Sequence, residues 1–192
     1  TKWNLARFAE CLMPLINTDE NKAVNLATEI INSFEKKYEE KWLNMMRNKI
    51  GLLKSEEKDK FLILDLLTWM HQKKADYTNT FCFLMNKEIQ KDKIFENSDF
   101  LNWKKRWERR SLKNDSTKKK CIELMRNNNP LVVPRNHKVE EALEAAVFDN
   151  NMKPFLKLHD ILKNPYDEIQ EFHEYEKPVK NSSVRYKTFC GT

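Results

Sequence analysis

Only two glycines, Gly51 and Gly191, occur among the 192 residues, and that scarcity limits what the chain can build. Loops that cradle phosphates or dinucleotides need several glycines, because the backbone must approach the ligand closely with no Cβ in the way. No complete nucleotide fingerprint can be written with two. No strand alternation of useful length occurs either, and apolar residues recur at helical spacing, so the fold class is all-α. A hydrophobic content of 40% beside 33% charged residues fits one globular domain with a core. The chain begins at Thr1, without methionine and within a helical pattern, and reads as a piece of something longer.

The stretch from Asn129 to Asn151 organises the rest. Pro130 and Pro134 hold the residues between them away from helical angles, so this piece must cross a surface or groove in a fixed direction. An Ala-rich helix follows, with Asn136 expected as its N-cap and Glu140 and Glu141 near its positive end. Val139, Ala142, Leu143, Ala146 and Val147 form its expected buried face. Arg135 stands at the junction, where a guanidinium can pin the crossing segment to a carboxylate or to backbone carbonyls with several donors at once. Arg135 and Asn136 are therefore the expected structural anchors.

Along the chain, Trp3, Leu5, Phe8, Leu12 and Leu15 predict a core helix over Thr1–Ile16. Ala23, Leu26, Ile30, Phe34, Tyr38, Trp42, Met45 and Met46 predict the apolar stripe of a long helix that stops at Gly51 and serves as the spine. Its other side, Glu35-Lys36-Lys37 and Glu39-Glu40-Lys41, alternates in sign as a solvated face does. Ser55 is expected to cap a buried helix running to Met70. Asp76 opens another, with Tyr77, Phe81 and Leu84 facing inward, and Asn86 to Asn97 reads as a mobile connection. Ser98 is expected to cap a helix striped with Phe100, Trp103 and Trp107. Further helices are predicted over Lys118–Asn128 and from Asn151 or Met152 to Asn164-Pro165, with Pro154 in the first turn of the latter. The organisation is a helical region over residues 1–176 and a polar tail, 177–192, carrying Cys190.

Chemistry finds little support. Cys11, Cys82, Cys121 and Cys190 form no C-x-x-C pair, which argues for a reducing compartment. The first three read as core thiols, and Cys190 as an exposed one. His137 and Glu140 lie three apart, yet no further ligands complete a metal shell. The longest apolar run, Phe61 to Leu64, is too short to span a bilayer. Nine basic residues between Lys104 and Lys120 stand against Glu108 and Asp115, so the net charge of +6 is concentrated there. Interleaved with Trp103 and Trp107, this cluster could serve nucleic-acid binding. The two tryptophans share a face with Phe100, however, which makes the cations the wet side of an amphipathic helix.

Several stretches taken together resemble the selenoprotein O (YdiU-like) family of protein adenylyltransferases. Trp3-Asn4-Leu5, followed by Arg7-Phe8-Ala9 and Leu12-Met13-Pro14-Leu15, resembles the W-N-L segment that follows the family's active-site region. Arg47 to Leu52 is similar to its R-x-K-L-G segment, and Asp76 to Phe81 to its D-Y-T-x-T-F segment. Asn129-Pro130 with Arg135-Asn136, then Glu141 to Ala146, is similar to its N-P-x-x-x-x-R-N and following A-I-E-A-A helix, and Asn164-Pro165-Tyr166 to its later N-P-[FY]. The matches keep their order over nearly the whole chain.

The resemblance implies the C-terminal helical portion of a kinase-like (pseudokinase) domain. The full-length protein would bind ATP and Mg²⁺ and transfer AMP to protein hydroxyl groups. The lysine, arginines, Asn and Asp that do this lie upstream of the W-N-L segment, so this stretch by itself is expected to be an inactive scaffold. It implies as partners the upstream catalytic part of the same chain and the enzyme's protein substrates, and a location in the cytoplasm of bacteria or the mitochondria of eukaryotes. Thr188 to Thr192 resembles the family's cysteine-containing ending, which makes Cys190 a possible redox residue. The alternative is a basic helical module that binds nucleic acid or protein.

Overall fold

The computed structural model describes residues 1–85, 93–114 and 117–179, and the described residues are helical with no strand among them. The fold is all-α. The chain separates into two compact units, Thr1–Arg47 and Asn48–Thr192.

The first unit holds α1 (Lys2–Ile16) and most of α2 (Glu20–Lys49). Asp19 helps start α2, its carboxylate accepting from the Lys22 amide at 3.2 Å. The expectation of a core helix at the N-terminus is not met. α1 buries none of its residues, and Trp3, Phe8 and Leu15 are exposed. Along α2, Ala23, Ala27 and Met46 are buried, whereas Leu26, Ile30, Tyr38 and Met45 of the expected stripe are exposed. Cys11, expected as a core thiol, is also exposed.

The second unit has a core of aromatic rings. Its helices are α3 (Asp59–Lys73), α4 (Tyr77–Leu84), α5 (Ser98–Ser111), α6 (Lys118–Arg126), α7 (Asn136–Phe148), α8 (Lys153–Ile161) and the single turn α9 (His173–Glu176). α3 packs on α5, and α7 on α8. Trp69 of α3 lies 4.6 Å, centroid to centroid, from Phe100 of α5, and Phe83 of α4 stacks on Phe95 at 4.0 Å. Such ring pairs add stabilisation beyond the area they bury. Trp103 is buried and Trp107 half-buried, with their polar handles satisfied: their indole N–H groups donate to the carbonyls of Leu62 and Ile50, each at 2.8 Å. Of the interval Asn86 to Asn97, read as a mobile connection, residues 86–92 lie outside the described residues. Lys93–Glu96 forms a 3-10 turn that buries Phe95.

Three helix starts differ from the expected ones. α3 begins at Asp59 rather than after Ser55, because the buried Asp59 carboxylate accepts from the Glu56 amide at 2.8 Å and holds the preceding residues as a turn. Asn97, not Ser98, caps α5, its side chain accepting from the Asp99 amide at 3.1 Å. Asn136 is the first residue of α7 and is exposed. The cap position falls to Arg135, which has extended angles and whose carbonyl already accepts from the amides of Lys138 and Val139. Glu140 and Glu141 consequently lie beyond the first turn. Ala142 is the buried residue of α7, while Leu143 and Val147 are exposed.

Candidate functional site

The segments around Lys49, Asp76, Asn129 and Pro165 are far apart in sequence and meet in the second unit. Lys49 ends α2, and Gly51 follows at φ +72°, a left-handed angle that favours glycine. A Cβ on Gly51 would also lie 2.8 Å from Met125 Sδ and 3.1 Å from the Cys121 carbonyl oxygen, so this turn is pressed against α6. The buried Asn129 closes the junction from the other side. Its amide nitrogen donates to the carbonyls of Lys49 at 2.8 Å and Met125 at 2.9 Å, tying the ends of α2 and α6 together. Beyond it the extended piece is hooked by the Pro165 carbonyl, which accepts from the amides of Leu131 at 2.7 Å and Val132 at 3.2 Å. Leu131 and Val132 are buried, so this crossing segment is part of the core.

The Lys49 side chain is buried under aromatic faces. Its ammonium lies 4.7 Å from the Phe81 ring centroid and 5.6 Å from that of Tyr77, and donates to the Asn128 carbonyl at 3.1 Å. Burial pulls its pKa below the ordinary lysine value, against an opposing influence of Cys82. The Cys82 thiol is buried as expected and donates to the Pro130 carbonyl at 3.8 Å.

Arg135 faces the start of α4. Its guanidinium donates to both oxygens of Asp76, at 2.8 and 3.1 Å, to Asn79 Oδ1 at 3.3 Å and to the Glu176 carbonyl at 2.8 Å. Asp76 meanwhile caps α4 by accepting from the Asn79 amide at 2.8 Å. Burial by itself would raise the Asp76 carboxyl. The hydrogen bonds from Arg135 and Asn79 and the charge of Arg135 outweigh it, so the group titrates below the usual carboxylate range. A carboxylate held this way is a poor proton acceptor. The junction is suited to holding segments in register.

Part of the basic cluster on and after α5 is answered by carboxylates. Arg110 is buried and donates to both oxygens of Asp59, at 2.7 and 3.2 Å, and to the Lys54 carbonyl at 2.6 Å. It therefore does not belong to a wet cationic face. Arg106 pairs with Asp65 at 2.6 Å and Lys113 with Glu56 at 3.3 Å. Trp103 is buried and Trp107 half-buried with its indole N–H held by the Ile50 carbonyl, an arrangement that does not favour stacking on bases.

The sequence singled out Arg135 and Asn136, and only the first enters the junction. Cys190 lies outside the described residues. Asp76 was legible as a cap but not as the partner of Arg135, and the buried Lys49 carried no signal of its own beyond lying in a segment that matches the family. Residues 47–52, 76–81, 129–136 and 164–166 each supply part of this junction, while the 3–15 segment lies in the first unit; in the comparison with known proteins, the family model described as protein adenylyltransferase SelO matches residues 1–163. The chain belongs to this family. It is 52% identical over its full length to the protein nucleotidyltransferase YdiU of Pelagibacter ubique (strain HTCC1062), of which it covers 40%. It is 44% identical over 190 residues to that of Bacillus cereus (strain AH820), covering 39% of it. The chain thus spans about two fifths of the length of these SelO-family relatives. No described helix is long and apolar enough to cross a membrane.

Proposed function

We propose that this chain is the helical C-terminal portion of a kinase-like domain, and that the complete protein transfers AMP from ATP to hydroxyl groups of protein substrates. The reading rests on the family and on one observation: the charged groups at the junction are engaged with neighbouring groups, although Asn129 Oδ1 and Arg135 Nε are buried without a hydrogen-bond partner. Asp76 is held by Arg135 and Asn79, and Lys49 by Asn128 and two aromatic faces. Such an arrangement fixes helices against each other and leaves the nucleotide to residues before Trp3. Arg135 acts in it as a structural anchor.

Mg²⁺ does not fit the residues at hand, since no group of three or more His, Cys, Asp or Glu side chains converges among the described residues. No step is routed through a metal held by them. What these residues supply is a rigid support, and the transfer itself depends on positioning and charge stabilisation elsewhere in the chain.

The complete protein, incubated with candidate protein substrates, Mg²⁺ and ATP labelled at either the α- or the γ-phosphate, tests this directly. Label should enter protein from the α-position only. Transfer of the γ-label would make the protein a kinase, and transfer of neither would end the reading.

A further inference from the structure

The rest of the basic cluster has no carboxylate to answer it. Lys105, Arg109, Lys118, Lys119, Lys120 and Arg126 are exposed and form no ion pair among the described residues, and Glu123 is the one carboxylate of α5 and α6 left unpaired beside them. Both helices back onto one turn. The Trp107 indole of α5 donates to the Ile50 carbonyl at 2.8 Å, and a Cβ on the next residue, Gly51, would lie 3.1 Å from the Cys121 carbonyl oxygen of α6. Their outward cations therefore share one region of the surface. Three lysines fill the first turn of α6, where the helix dipole favours carboxylates, and no acidic residue offsets them there. A local rule broken with no return inside the fold points to a use outside it.

The apolar residues beside the cations decide the kind of partner. Leu101, Lys105, Arg109 and Leu112 follow one another in steps of four, four and three, so two leucines, 43% and 83% exposed, bracket two cations along one side of α5 and its end. A single-stranded nucleic acid needs flat aromatic faces beside its cations, and the indoles of α5, held by backbone carbonyls, do not offer them. Aliphatic side chains interleaved with ammonium and guanidinium groups are instead the complement of a peptide that carries carboxylates and leucines. We propose that the outer side of α5 and α6 docks an acidic, leucine-containing segment of a partner protein. This goes beyond the transfer reaction. The contacts are exposed ion pairs, each weak by itself, so binding rests on their number and is screened by salt.

The test uses the complete protein and a fluorescein-labelled peptide of Glu-Glu-Leu repeats, followed by fluorescence anisotropy, beside the same peptide with Gln for Glu and a labelled single-stranded oligodeoxynucleotide of equal charge. At low salt the protein should bind the acidic peptide more tightly than either, and less tightly as salt rises. Lys118→Gln with Lys119→Gln and Lys120→Gln, or Lys105→Gln with Arg109→Gln, should weaken that binding by about tenfold. Lys36→Gln with Lys37→Gln and Lys41→Gln makes the same change in net charge as the α6 variant on exposed residues of α2, and should leave binding within about twofold. An equal loss in the α2 variant would make the attraction one of net charge, and tighter binding of the oligonucleotide would make the surface a nucleic-acid interface. Either overturns the proposal, as does an absence of binding, which is also the result if an acidic segment of the same polypeptide already covers the surface. The α-phosphate-label assay on the same protein separates the two readings. AMP transfer by a protein that ignores the peptide sinks the docking alone, and peptide binding by a protein that transfers nothing sinks the catalytic reading alone.

Discussion

Arg135 holds three stretches with one guanidinium: the start of α4 through Asp76 and Asn79, its own crossing segment, and the Glu176 carbonyl. Removing one partner of such a half-buried, bidentate pair leaves the other charge without compensation, at a cost of about 3 kcal/mol. Arg135→Ala should therefore lower the melting temperature by roughly 5–10 °C, and Arg135→Lys by less, because a single ammonium cannot reproduce the fork. An unchanged melting temperature in the alanine variant would remove the anchor. The same pair sets a pH signature. Asp76 titrates lower when folded than when unfolded, so its contribution is fully present above the unfolded carboxylate value of about 3.9 and is lost as pH falls through the lower, folded value. In acid unfolding followed below about pH 4, the wild type should lose stability more steeply than Asp76→Asn, which has no carboxylate to protonate. Parallel curves would contradict the linkage.

At the scale of helices, the sequence was most legible where a short-range rule had no rival. Asp76 reads as a cap and caps α4; Phe100, Trp103 and Trp107 read as one inward stripe, and their rings and indole N–H groups are used inside. It was least legible where a distant partner decides. Ser55 and Ser98 satisfy the local rule for caps, yet α3 starts at Asp59, which is drawn in by Arg110, and Asn97 caps α5 while also accepting from the Trp69 indole at 3.3 Å. Arg110 was misread as solvated for the same reason: its buried carboxylate lies 51 residues away. That ion pair joins α3 to α5 and should show the asymmetry of buried charges. Arg110→Met strands the Asp59 carboxylate and should cost about 3–5 kcal/mol, whereas Arg110→Met with Asp59→Leu should recover much of the loss. Denaturant titrations of the two single variants and the double give the coupling. Additive losses would mean that Asp59 and Arg110 do not act as a pair.

Taken whole, the chain is uneven. The unit from Asn48 onward has a ring core, satisfied indoles, one buried and one half-buried ion pair, while the unit Thr1–Arg47 has α1 with nothing buried and α2 with Leu26, Ile30, Tyr38 and Met45 exposed. The sequence marked the α2 stripe as apolar, and of it Ala23 and Met46 are buried while Leu26, Ile30, Tyr38 and Met45 are exposed, since periodicity says which side seeks cover but not whether the cover lies within these residues. Helices without a packed face are marginal in water, as most helical stability comes from tertiary burial. Local opening should therefore be far easier in the first unit than in the second. Hydrogen exchange on the 192-residue chain should show amides of α3 and α5 slower than those of α1 and the first half of α2 by about 100-fold or more. Equal protection would mean that the exposed apolar residues leave α2 as stable as the ring core. Equal lack of protection would mean that the second unit cannot hold its core alone, and that the support attributed to it depends on the same missing cover.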